Sequence, residues 1–348
     1  MSKEKKVVLG FSGGVDSAAA AILLQQQGYQ VIPVVLDLGG ADTPFLLQRA
    51  AKMAISLGLE LLVEPAIDTF TQEVIEYLLF AYTHAQTPNP CIRCNARVKF
   101  ARLAAVADRL GLENLATGHY FRQLAEGGGG SQISYHKAYD KRKDQSYFLL
   151  SVPEKLLRRT LFPLAEIDKP EVLRLAVMAG YELDNYRESQ ELCFLNGEKY
   201  QEYLVRQGVI GGRGEIVNSQ GAVLGEHRGL QNYTVGQRRG MGIAHPEPLY
   251  VIKLDYQNNR LLVGEREEVY GTRLQVNKIN WLIASPSQPL KIECQIRYRH
   301  QPAPATLTPL VDDHVEIEFA TPQFAITPGQ GAAFYSGDRL LGGGIIKC

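Results

Sequence analysis

Between residues 7 and 117, short apolar runs alternate with longer segments of helical character. This alternation restricts the fold more than any other feature. Strands are read at residues 7–10, 31–36, 59–63 and 114–117. Helices are read at 17–27, 44–57, 69–82 and 95–110, and Gly28, Gly58 and Gly111 stop three of them. Strands alternating with helices build a parallel sheet covered on both faces. The expected fold class is therefore α/β, a doubly wound parallel sheet. Such sheets bind ligands beyond the carboxyl ends of their strands. The connections after the first and fourth strands are thus where chemistry is expected.

The rest of the chain reads differently. A Gly-rich tract at 126–131 suggests a hairpin tip or loop. Helices follow at 170–180 and 198–207, and a Gly-rich stretch at 208–214 breaks the pattern. Beyond it, β-branched runs recur at 214–217, 249–254, 260–263, 290–298, 314–319, 331–334 and 340–346. Spacing of this kind predicts a small β-barrel. The expected domains are a catalytic α/β domain at 1–200, a small central domain at 201–270 and a C-terminal β-barrel at 271–348.

Composition narrows the function classes. Of 348 residues, 45% are hydrophobic and 21% charged, which suits a globular protein with real cores. No run approaches the roughly 20 apolar residues of a membrane span. The apolar run at 7–9 is too short for a signal peptide, so a cytoplasmic protein without a membrane partner is expected. The 37 basic and 37 acidic residues cancel. Basic residues nevertheless concentrate at 137–143, 155–159, 228–239 and 297–300. One such cluster reads as a solvated face, whereas several on a neutral chain suit one-sided grip on a phosphate backbone. The five cysteines, an odd number, point to metal binding or redox chemistry rather than a disulfide framework.

The sharpest local signal is Ser12-Gly13-Gly14-Val15-Asp16-Ser17, between the first strand and its helix. Two glycines let the backbone approach a phosphate. The helix N-terminus offers free amides and a favourable dipole. Ser12 and Ser17 add hydroxyls, and Asp16 is suited to hold Mg2+ beside the phosphates. The string is neither a Walker A loop nor a dinucleotide fingerprint. It resembles the loop of the ATP pyrophosphatase superfamily. That resemblance implies cleavage of ATP between its α and β phosphates and adenylation of a carbonyl oxygen. Amide synthetases and nucleic-acid thiolases both fit it.

The cysteines choose between them. Cys91 and Cys94 lie in Asn89-Pro90-Cys91-Ile92-Arg93-Cys94-Asn95, where two prolines disfavour helix. The pair is expected on a rigid loop feeding a helix N-terminus, which lowers thiol pKa. Cys193 is distant in sequence; Cys294 falls in an alternating strand and reads as packing, and Cys348 ends the chain. A structural zinc site wants a second close pair, which is missing. Two readings remain open. Either Cys94 and Cys193 are working thiols, one carrying a persulfide and the other attacking it. Or Cys91, Cys94 and Cys193 ligate three irons of a 4Fe–4S cluster whose fourth iron binds sulfide.

The chain as a whole resembles the bacterial tRNA-specific 2-thiouridylases of the MnmA type. The likeness runs from the phosphate loop through residues 87–95, Lys99-Phe100 and Ala116-Thr117-Gly118-His119-Tyr120. It continues through 143–149, 189–194, 233–240, Arg297-Tyr298-Arg299, 327–330 and 341–345. It implies ATP-dependent 2-thiolation of the wobble uridine of tRNA through an adenylated C2 oxygen. By the same resemblance Gly10, Phe11, Ser12, Gly13, Gly14, Val15, Asp16, Ser17, Leu36 and Gly118 contact ATP. Cys94 takes the nucleophile position and Cys193 the persulfide position. Asn89, Pro90 and Cys91 lie against the target base. His119, Lys143, Asp144, Gln145, Arg297, Tyr298 and Gln330 contact tRNA. ATP and Mg2+ are the implied cofactors, with a 4Fe–4S cluster as the second sulfur route. The sulfur comes from a desulfurase, a relay protein or sulfide.

Three positions depart from the family pattern. Residues 37–42 form a short segment without the frequent aromatic, Leu36 replaces a frequent methionine, and Cys91 replaces a frequent aspartate. Two other functions are compatible with parts of the sequence. An amide ligase of the same superfamily needs neither the cysteines nor an RNA-gripping barrel. A catalytically silent RNA-binding protein has no use for Asp16, Cys94 and Cys193 together.

Overall fold

The computed structural model describes residues 5–40, 42–126, 132–182, 192–195 and 197–347. The tip of the Gly-rich tract, residues 189–191, Ala41 and Cys348 lie outside the described residues. The chain divides into two compact units. The first comprises residues 1–74, 91–196 and 338–341, and the second 75–90, 197–337 and 342–348.

The first unit is built on a five-stranded parallel sheet. Lys5–Gly10 is central, with Tyr29–Asp37 and then Leu62–Pro65 on one side, and Leu115–Thr117 and then Thr160–Leu161 on the other. Val7 and Leu9 join one apolar cluster, while Val8 and Val34 are equally buried outside it. Strands buried on both faces have no polar alternation, which is why their runs read as continuously apolar. The helix Val15–Gln26 contributes Ala18, Ala19, Ala20 and Ala21, all fully buried. Side chains that small let this helix lie close to the sheet and against the helix Lys169–Met178. Each larger core side chain, such as Leu9 or Leu24, contributes about 1.5–3 kcal/mol by leaving water.

Two strand boundaries depart from expectation. Thr160–Leu161 pairs with Leu115 and Ala116 and had no sequence signal, because two residues show no periodicity. The third strand lies at Leu62–Pro65, held where Glu64 accepts from Arg102 and Arg109 at 2.6 and 2.7 Å. The Gly-rich tract is flanked by Phe121–Glu126 and Gln132–Lys137, which pair antiparallel.

The second unit holds two β assemblies. A four-stranded sheet orders Tyr250–Asp255, Arg260–Gly264, Gly214–Val217 and Val223–His227 around Ile216, Val251, Leu261 and Val263. Six further strands close into the expected barrel. Tyr270–Trp281 pairs with Val315–Phe324 on one edge and with Arg339–Lys347 on the other. Closure removes exposed strand edges. Cys294 is fully buried on Leu290–Gln295, a packing position.

The phosphate-loop backbone is tightly fitted. Gly13 has φ of 68°, and a Cβ there would lie 2.5 Å from Ala50 Cα on the helix Thr43–Ser56. Gly13→Ala is expected to cost about 1–3 kcal/mol of stability from strain and overpacking. Urea unfolding checks this, and an unchanged midpoint would show that the loop relaxes freely.

Candidate active site

The strand order fixes where the site lies. From Lys5–Gly10 the chain steps to Tyr29–Asp37 on one side, and Leu115–Thr117 lies on the other. This is the reversal of order at which α/β sheets open a crevice. The two connections leaving it are 11–14 and 118–120, the loops singled out from the sequence. They meet closely, since a Cβ on Gly118 would lie 3.1 Å from the Asp16 carbonyl carbon and oxygen.

The phosphate loop is shaped by its own hydroxyls. Ser17 Oγ donates to Gly14 O at 2.9 Å, and Gly14 N donates to Ser12 Oγ at 3.4 Å. Gly14 caps the following helix with extended backbone and no side-chain cap. The first-turn amides of that helix are thus left to a ligand, as anion sites require. Phe11 and Val15 are buried beneath the loop, whereas Ser12 is exposed. Leu36 is half-buried at the carboxyl end of its strand. Arg49 Nη2 donates to Ser12 O at 3.1 Å, so a guanidinium borders the loop.

Asp16 stands in the first helical turn, and two side chains donate to its Oδ1. Lys169 Nζ does so at 2.6 Å and Tyr120 Oη at 2.9 Å. Lys169 is 7% exposed, an unusual burial for lysine. Its role was missed in the sequence. The one cue was a basic residue at the start of a helix, after its Asp168 cap, where dipole logic favours acids.

The cysteine segment differs from expectation. Pro90 opens a helix, Pro90–Cys94, and the chain continues through a π-turn, Asn95–Lys99, into the helix Phe100–Arg109. Proline at the first helical position forfeits no hydrogen bond, so the helix tolerates it. Cys91, in the first turn, and Cys94, at the last position, are therefore inside helical structure rather than on a loop that precedes it. Burial pushes the Cys91 thiol up, with Lys99 opposing. Burial pushes Cys94 further, to about 12, again against Lys99. Cys193 is exposed and falls within the charge field of both.

Lys99 is the cation of this pocket. A π-turn brings residue i+5 toward residue i, which is the spacing from Cys94 to Lys99. Burial works against the Lys99 ammonium, and the sulfurs of Cys94, Cys193 and Cys91 outweigh it. His119 is driven the other way, to about 3, by burial and then by Lys99. It is neutral at physiological pH, with Nδ1 3.0 Å from Thr117 Oγ1. It therefore adds no positive charge at that pH. Asn95 Nδ2 donates to Phe148 O at 3.1 Å, and its Oδ1 is buried without a protein partner.

The other sequence candidates are placed as follows. Asp144 accepts from Ala138 N at 2.9 Å and from the Ser146 hydroxyl at 2.5 Å, so its carboxylate shapes its own loop. Gln145 brackets Tyr120, accepting from its amide and donating to its carbonyl, both at 3.0 Å. Lys143 is half-exposed on the same segment. In the second unit, Arg297 Nη1 donates to Phe324 O at 3.2 Å and Tyr298 is 38% exposed. Gln330 Nε2 donates to Thr87 O at 2.7 Å, beside half-buried Asn89 and buried Pro90. Arg158 and Arg159 pair with Glu154 and Asp108, so the 155–159 cluster is largely neutralised locally. Arg238, Arg239 and His245 line a cavity of about 380 Å³ in the second unit.

These environments predict the order of thiol reactivity. A pKa near 12 leaves about one Cys94 in ten thousand as thiolate at pH 8. Among Cys91, Cys94 and Cys193, iodoacetamide should therefore label Cys193 first and Cys94 last, and Lys99→Ala should slow Cys94 further. Peptide mass spectrometry after timed labelling reads this. Rapid labelling of Cys94 would contradict the burial argument.

Comparison with known proteins covers almost the whole chain. Residues 5–197 match the family model described as the tRNA methyl transferase HUP domain. Residues 202–265 match the corresponding PRC-barrel domain, and 271–346 the aminomethyltransferase beta-barrel domain. A tRNA-specific 2-thiouridylase MnmA of Syntrophotalea carbinolica is 44% identical, with 99% of each chain covered. That of Nostoc punctiforme is 42% identical, again over 99% of each. That of Geobacter metallireducens is 40% identical over 98% of this chain and 96% of the relative. A solved 4-thiouridine synthetase–RNA complex with bound ATP overlaps 58% of this chain and 50% of its own, at TM-score 0.36 and 19% identity. That overlap is too low to carry weight. Full-length identity at this level, together with the phosphate loop and the two thiol positions, places the chain in the tRNA-specific 2-thiouridylase MnmA family.

Proposed function

We propose that this chain uses ATP to replace the C2 oxygen of the wobble uridine of tRNA with sulfur. The observation that carries the reading is the sharing of one folded unit. The phosphate loop with Asp16 and the thiols with Lys99 belong to the same body. A protein that only bound RNA would have no use for either.

In the first half-reaction, the uridine C2 oxygen attacks the α-phosphorus of ATP and pyrophosphate leaves. The helix amides behind Gly14, together with Ser12 and Ser17, receive the phosphates. Leu36 and Gly118 border the nucleotide. Asp16 fits Mg2+, because that ion keeps most of its waters and needs only one or two carboxylates besides phosphate oxygens. Bound there, Mg2+ would neutralise charge developing on the pyrophosphate.

In the second, Cys193 carries a persulfide, its outer sulfur transferred from the persulfide of a donor, whose thiol is released. The Cys94 thiolate attacks the inner sulfur. A Cys94–Cys193 disulfide forms, and the terminal sulfur leaves as HS⁻. Sulfide adds to C2, and AMP departs with the former C2 oxygen. A thiol reductant supplies two electrons to reopen the disulfide, and the donor reloads Cys193. Lys99 stabilises the Cys94 thiolate that burial opposes. The persulfide route is favoured over the 4Fe–4S alternative. Among the described residues no group of three Cys, His, Asp or Glu side chains is placed to hold a metal ion.

The proposed tRNA contacts are Asn89, Pro90 and Cys91 at the base, and His119, Lys143, Asp144, Gln145, Arg297, Tyr298 and Gln330 elsewhere. Chemistry in a crevice requires the uridine to leave the anticodon stack. Among the described residues, no helix is long and apolar enough to cross a membrane.

Cys94→Ser and Cys193→Ser should each abolish 2-thiouridine while ATP–pyrophosphate exchange persists. Cys91→Ser should keep substantial thiolation, read by nucleoside mass spectrometry. If Cys91→Ser is inactive and has also lost iron present in the anaerobically purified parent, the persulfide route is wrong. For tRNA, log affinity should fall linearly with log salt concentration. Replacing Lys143 and Arg297 together by Ala should flatten the slope by about 1–2 units, from two lost phosphate contacts. An unchanged slope would move the RNA to another face.

A further inference from the structure

Two hydrogen-bonded chains end on one atom, Asp16 Oδ1, and both begin in the segment 140–145. The first passes through Lys169. Asp140, 6% exposed, accepts from Lys169 N at 3.3 Å, and Lys169 Nζ donates to Asp16 Oδ1 at 2.6 Å. The same Asp140 carboxylate accepts from Arg142 N and Arg142 Nε, both at 3.1 Å. The second chain passes through Tyr120. Gln145 grips the Tyr120 backbone on both sides at 3.0 Å, and Tyr120 Oη donates to Asp16 Oδ1 at 2.9 Å. The arms also meet each other, because Lys169 Nζ lies 5.8 Å from the Tyr120 ring centroid.

Packing alone does not call for this arrangement. A methionine at 169 would fill a buried slot without burying an ammonium, which is costly unless paired. Phenylalanine at 120 would fill the same volume as tyrosine. What Lys169 and Tyr120 add is control over the direction and charge of the Asp16 carboxylate, the acid of the phosphate loop. The anchors of both are carried by the stretch that also presents Arg142 and Lys143.

We infer that Lys169 and Tyr120 are positioning residues that couple tRNA seating on residues 142–145 to the ATP phosphate loop through Asp16. The inference rests on the proposed role of Lys143 and Gln145 in binding tRNA. When RNA draws on this segment, Asp140 and Gln145 move with it. Asp140 shifts the Lys169 backbone, and Gln145 shifts Tyr120. The hold on Asp16 Oδ1 changes, and the Lys169 ammonium is repositioned toward the phosphates. By linkage, tRNA and ATP must then alter each other's affinity by one common factor. ATP would be activated chiefly when an acceptor oxygen is present, which limits wasteful hydrolysis.

The test uses the full-length chain, a tRNA transcript and α,β-methylene-ATP, which cannot be cleaved between those phosphates. Calorimetry gives the dissociation constant of the analogue with and without tRNA, and the ratio is the coupling factor. The parent is expected to show a factor of about ten, within the usual range for coupled sites. Tyr120→Phe and Asp140→Asn should each reduce the factor below about two, and Lys169→Arg should retain more of it than Lys169→Met. The ratio is taken within each variant, so a general loss of affinity does not mimic the effect. If Asp140→Asn does not fold, Tyr120→Phe decides, since it removes only one oxygen. A parent factor of one, or a parental factor in Tyr120→Phe, would overturn the inference. Lys143→Ala separates the two readings. Unchanged tRNA affinity in that variant refutes the binding role and the coupling together. Weakened tRNA binding alongside parental coupling in Tyr120→Phe refutes the coupling alone.

Discussion

Where neighbouring strands of a parallel sheet send their connections in opposite directions, the sheet leaves a crevice that no helix covers. Here that crevice lies between Lys5–Gly10 and Leu115–Thr117. Closeness across it is a backbone matter. Gly118 lies so near the Asp16 peptide that even a methyl group would press on it. Gly13 is similarly pressed against Ala50. The phosphate loop is thus held from two sides before any ligand arrives, and preorganised amides need no rearrangement to receive charge.

The thiol pocket obeys the opposite logic. A nucleophilic cysteine needs a thiolate, and burial opposes one. The structure buries Cys94 and supplies Lys99 through a π-turn, a helix form whose geometry is poor and whose appearance often marks function. Water is kept from Cys94, and the Lys99 charge favours the thiolate that burial opposes. His119, close to the same cation, is held neutral by burial and by Lys99.

Much of the fold was legible because it is written in local periodicity. Four parallel strands, their helices and the closing barrel each follow from runs of a few residues. The misses have physical causes. Two prolines around Asn89 read as helix breakers, yet the second occupies the one helical position where proline forfeits nothing. Thr160–Leu161 is a strand only because Leu115 and Ala116 lie beside it. The resemblance implies a tRNA contact at Asp144, yet nothing local in the sequence shows that its carboxylate accepts from Ala138 and Ser146.

The sequence by itself determined the α/β class, the Gly-rich string between the first strand and its helix, and the barrel. These depend on residue type and spacing over short distances. Only the tertiary structure decided what surrounds them. Lys169 is 153 residues from Asp16 and Tyr120 is 104 away, so no spacing rule links them. Whether Cys94 or His119 carries charge is likewise set by burial and by one lysine. Burial and through-space charge are properties of the packed chain, because they depend on which distant segments exclude water from a given atom.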